Sequence, residues 1–92
     1  MIEKCVDWIK KSKELADEYY RAMTMWVTSR RTKGSVKVLV KLATAYKRAL
    51  DLAINCLRKL KPSKEVQVEI AQTQNYKALI IDDIRLLSKI QE

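Results

Sequence analysis

The chain contains no histidine and no phenylalanine, one glycine (Gly34), one proline (Pro62) and two cysteines (Cys5 and Cys56). Each scarcity excludes something. Without histidine the commonest general base is missing, and neither Ser-His nor Cys-His nucleophile pairs can be assembled. A single glycine rules out the glycine-rich loops that cradle phosphates. Two cysteines without histidine are too few for the usual structural zinc sites, so neither a metal nor another cofactor is expected. The adjacent carboxylates Asp82 and Asp83 point about 100° apart on a helix, a poor geometry for a catalytic dyad, and they are expected to face the basic second helix. The expectation is a chain that is not an enzyme.

Long apolar runs are also missing. Aliphatic runs such as Val38-Leu39-Val40, cut by Lys41, fall far short of the ~20 residues a membrane span requires. Met1 to Lys13 interleave Glu3, Lys4, Asp7, Lys10 and Lys11 with apolar residues, which leaves no core for a signal peptide. A cytoplasmic chain without membrane contact is expected, with Cys5 and Cys56 near each other at one end of the molecule but held as reduced thiols.

What is present is helix-forming. Hydrophobic residues make up 48% and charged residues 33% of the sequence, a balance that folds. Stop signals occur only at Thr32-Lys33-Gly34-Ser35 and Lys61-Pro62-Ser63, where Gly34 can end one helix, Ser35 can cap the next, and Ser63 can cap a third beyond Pro62. Residues 1–92 therefore read as a single domain: an all-α antiparallel bundle of three long helices at Ile2 to Arg31, Ser35 to Leu60 and Lys64 to Ile90. Coiled-coil-like packing follows from the spacing. Val36, Leu39, Ala43, Tyr46, Leu50, Ala53, Leu57 and Leu60 alternate by three and four residues without a break. The first helix repeats the pattern as Ile2, Cys5, Ile9, Ser12, Ala16, Tyr19, Met23 and Trp26, widened by Val6, Tyr20 and Val27, with Trp8 and Trp26 expected to plug the two ends of the core. The third keeps it through Val66, Ile70, Thr73, Lys77, Ile80, Ile84 and Leu87. Val38, Leu52, Met25 and Leu79 fall outside these seams, and a self-associating bundle, a homo-oligomer of at least two copies, is the expected way to cover them.

Folding the segments back on one another places Tyr19, Tyr20, Tyr46 and Tyr76 in one layer near mid-height, with Glu14, Glu18, Asp51 and Lys77 in or beside it. Asp51 is the one acid of the second helix, and Lys77 is its natural partner. A hydrogen-bonded network that sets helix register is one reading of this layer; a ligand or partner site is the other.

Charge is the feature that points to function. The net charge of +8 divides into +2 for residues 1–31, +7 for 32–62 and −1 for 63–92. Lys37, Lys41 and Arg48 recur on the outward stripe of the second helix, and Arg30, Arg31 and Lys33 gather where that helix begins, beside Ser35 with its unpaired N–H groups. These seven residues are the candidate contacts for the phosphate backbone of DNA or RNA. No helix-turn-helix, finger or RNA-recognition pattern is present, so a basic, non-catalytic binding module without sequence specificity is expected. The alternative is a structural or adaptor bundle that binds a protein partner or itself. A solvated lysine face that binds nothing gives the same composition, because lysine is a good helix former and favours solubility.

Overall fold

The computed structural model describes residues 2–28 and 33–90, with 33–35 described by backbone alone. Three helices make the fold: α1 (Val6–Thr28), entered through a 3-10 turn at Ile2–Cys5, then α2 (Lys33–Arg58) and α3 (Lys64–Ser88). There is no strand among the described residues. The chain is an all-α antiparallel three-helix bundle, elongated to 47 × 20 × 16 Å.

The central helix is α2. It packs along both α1 and α3, whereas those two approach each other only sparsely. Its unbroken seam explains why: from Val36 to Leu57 every seam residue is buried, and Ala49 and Ile54 add a second buried edge. The 3-10 turn buries Cys5, the α1 seam buries Ser12, Tyr19 and Trp26, and the α3 seam buries Val66, Thr73, Ile80 and Leu87. The main core joins Tyr19 and Trp26 of α1 to Leu39, Tyr46 and Leu50 of α2 and to Ile80 and Leu87 of α3.

The helix boundaries follow local chemistry. Ahead of Pro62, α2 closes with short turns in which the Lys59 N–H donates to the Cys56 carbonyl and that of Leu60 to the Leu57 carbonyl. Ser63, with extended backbone, caps α3 by accepting the Val66 N–H at 3.1 Å. At the other turn the expected start is corrected: α2 begins at Lys33, so Gly34 and Ser35 lie within its first turn instead of ending one helix and capping the next. The first N–H groups of a helix have no intrahelical partner, so these two residues lose little by being helical there.

Several expected core residues are on the surface. Trp26 is buried, but Trp8 is 42% exposed, being one position off the seam residue Ile9. Val6, Tyr20 and Val27 are also exposed, each one step beyond a buried seam residue. One step is about 100° of rotation, and a stripe that wide needs helices on two sides. α1 is well covered only by α2.

Candidate nucleic-acid interface

Lys37, Lys41 and Arg48 are all exposed on α2. With Val38, Val40, Thr44 and Ala45 they line a shallow depression on that helix. At ~1.5 Å of rise per residue, Lys41 stands about 6 Å from Lys37 along the axis and about 10 Å from Arg48. None of the three forms an ion pair among the described residues. Lys33 and Ser35 belong to the first turn of α2, at the same end as Lys37. Arg30 and Arg31 lie outside the described residues. Lys47, next to the stripe, is drawn away from it by an ion pair with Asp51 at 3.1 Å.

Asp51 also receives Lys77 Nζ at 2.6 Å, which ties α2 to α3. Partial burial pushes the Asp51 carboxyl up, but hydrogen bonds from Lys77 and Lys47 outweigh it and hold the group below the usual range. The tyrosines of the same layer form a second group. Tyr19, fully buried, donates its hydroxyl to Asp83 of α3 at 2.9 Å. Tyr20 stands edge-on to Tyr19, with ring centres 5.0 Å apart, and to Tyr46 at 6.4 Å. Burial, then the Asp83 carboxylate, pushes Tyr19 and Tyr20 up, and burial with the neighbouring Tyr20 and Tyr76 pushes Tyr46 up to about 12.

The mid-height layer thus exists, in two parts. The pair expected from sequence, Asp51 with Lys77, is formed. The expected direction of the two adjacent carboxylates is corrected: Asp83 turns to α1, and Asp82 reaches Arg85 on its own helix at 3.9 Å. Glu14 and Glu18 are exposed.

Beside this layer α1 and α3 stand apart over a cleft of about 320 Å³. Its floor includes Tyr46 and Leu50 of α2, with Ile9, Ser12, Ala16 and Tyr20 on one wall and Thr73, Tyr76 and Leu79 on the other. Small seam residues leave this space. Ser12 and Thr73 fold their hydroxyls back onto the carbonyls of Ile9 and Glu69, both at 2.7 Å, and extend nothing across the gap. The cleft was not anticipated from the sequence, although a signal for it exists. Val6, Ile9, Lys13, Ala16, Tyr20, Met23 and Val27 form a second three-and-four row on α1, next to the one that meets α2.

At the far end from the α1–α2 connection, Cys5 and Cys56 are joined in a disulfide with Cα atoms 5.7 Å apart. Their proximity was expected. The expectation of reduced thiols is overturned, because the 3-10 turn brings Cys5 directly against the last turn of α2, where the Cys56 sulfur also contacts the Lys4 carbonyl at 3.6 Å.

Comparison with protein families, with characterised proteins and with solved structures finds no match. Among the described residues, no helix is long and apolar enough to cross a membrane.

Proposed function

We propose that the chain is a non-catalytic binding module that holds the phosphate backbone of a nucleic acid on the outward stripe of α2 without reading its sequence. The observation that carries this is the set of exposed, unpaired cations Lys37, Lys41 and Arg48 on the helix segment that bears +7 of the net +8. Lysine and arginine at such spacing meet successive phosphates and release their condensed counterions, a gain that depends on salt and not on base identity. Arg30, Arg31, Lys33 and Ser35, named from the sequence, belong to the same proposed contact.

The disulfide bears on where this takes place. A cytoplasmic location agrees with the Cys5–Cys56 bond only where the cytosol tolerates disulfides, as it does in hyperthermophiles; elsewhere the bond calls for an oxidising compartment.

A mobility-shift series in increasing salt tests the reading. Wild-type protein should bind DNA or RNA of unrelated sequences about equally, with affinity that drops steeply as salt rises. Replacing Lys37, Lys41 and Arg48 together by alanine should reduce the salt slope by about 2 to 3, near one unit per lost phosphate contact. If neither DNA nor RNA shifts at low salt, the reading fails.

A further inference from the structure

The α1/α3 flank carries two rows of side chains in coiled-coil spacing whose outer members are left exposed. On α1 the row runs from Val6 to Val27, its members Ile9, Ala16 and Met23 shared with the seam toward α2 and its outer members Val6, Tyr20 and Val27 uncovered; on α3 it is Tyr76, Leu79, Asp83, Leu86 and Ile90, again in steps of three and four, with Asp83 bonded to Tyr19 and the other four uncovered. Val6, Tyr20 and Val27 from the first row and Tyr76, Leu79, Leu86 and Ile90 from the second are 40–62% exposed. They are seven of the twelve large apolar side chains exposed among the described residues, so the exposure is concentrated on one side of the bundle. Between the rows lies the cleft of about 320 Å³.

Two parallel rows with helical periodicity are complementary to the ridges of other helices. We propose that this flank is the interface of a two-fold dimer, in which α1 and α3 of a second copy close over it to make four helices around a shared core, with each α2 on the outside. Charge selects the second copy and the face. A chain of net charge +8 repels its own kind unless contact is made through a nearly neutral surface. The segments containing α1 and α3 carry +2 and −1, against +7 for the segment containing α2. The cleft's own charged residues are Lys13, Asp17 and Glu69, which sum to −1, and the carboxylate of Asp83 in the α3 row is turned inward to the Tyr19 hydroxyl. A two-fold contact also requires a patch that fits itself, and two like rows on either side of a groove satisfy that requirement. Size is adequate: the molecule's 47 and 20 Å dimensions bound a face comparable to the ~800 Å² per partner that stable dimers bury. The proposal does not depend on nucleic-acid contact, and it leaves the α2 stripe open on both copies.

Sedimentation equilibrium tests it. Wild-type protein should sediment as a dimer of the 10.7 kDa chain at micromolar concentration. Leu79→Glu combined with Leu86→Glu should raise the dissociation constant at least about a hundredfold. Helical circular dichroism should be unchanged, since both leucines project from the monomer. Tyr20→Glu, on the opposite wall, should do the same, which guards against a folding defect in either variant. Val38→Glu, on the exposed face of α2, should leave the dimer intact. A wild type that is monomeric throughout the micromolar range overturns the proposal. So do folded α1 and α3 variants that remain dimeric, or a Val38→Glu protein that is monomeric.

Discussion

Tyr19 and Asp83 lie 64 positions apart in sequence and are joined by a 2.9 Å hydrogen bond from phenol to carboxylate. The bond links α1 directly to α3, two helices that otherwise depend on α2 to hold them in place. Tyr19→Phe removes the donor while keeping the ring in its buried seat, and leaves Asp83 with one acceptor site unfilled. A loss of about 1.5 to 3 kcal/mol is expected, the range for a hydrogen bond to a charged group. Urea denaturation monitored by circular dichroism measures it, and an unchanged midpoint would show that the link carries no stability.

The titrating groups predict a stability plateau with two limbs. Asp51 has a folded pKa below its ordinary 3.8, so its contribution is full above that value and is lost as pH falls through the folded pKa. The phenols behave in the opposite sense. Tyr46, raised from 10.0 to about 12, and Tyr19, also raised, contribute fully below pH 10 and lose that contribution as pH climbs through their folded values. Denaturation midpoints followed across pH should therefore fall at both ends. Asp51→Asn should weaken the acid limb and Tyr46→Phe the alkaline limb, where Tyr19 supplies the remainder, each leaving the other limb unchanged.

Reduction of Cys5–Cys56 should cost the fold much of its margin. The bond closes a loop of 51 residues, and the chain-entropy relation assigns such a loop about 4 kcal/mol. Thermal unfolding with and without a strong reductant reads this out, as does the Cys5→Ser, Cys56→Ser pair. Equal melting temperatures would mean that the bond does not constrain the unfolded chain.

The seams were legible because each states its own period. Val36 to Leu57 needed only α2's sequence to be read as buried, and Asp51 could be matched to Lys77 because it is the lone acid on a basic helix. The side-by-side placement of helices was harder to read. An amphipathic pattern says how wide an apolar stripe is, but not how many neighbours cover it, and so Val6, Tyr20 and Val27 were expected inside when α1 has one close neighbour instead of two. The same limitation concealed the cleft, which exists because Ser12 and Thr73 satisfy their own backbones. The nearness of Cys5 and Cys56 was legible from folding the helices back on one another, but reduced thiols followed only from reading the chain as cytoplasmic, and it takes the 5.7 Å separation of Cα atoms to show the bond. For the candidate interface, the exposure of Lys37, Lys41 and Arg48 followed directly from the seam, since they occupy the stripe opposite it. Lys47 stands four residues before Asp51, a helical ion-pair spacing, so its loss from the stripe also has a sequence signal.

The disulfide also decides how the molecule bears tension. Force applied across the chain enters at Cys5, crosses the sulfur bridge to Cys56 and continues into α3, so the 50 residues between them carry no load. Under such a pull the tension runs along α3, while α1 and α2 stay paired as an unloaded hairpin. Cleaving the bridge under load would then release a hidden length of about 170 Å, at ~3.4 Å per extended residue. The length over which the chain can be drawn out is therefore set by the oxidation state of one bond.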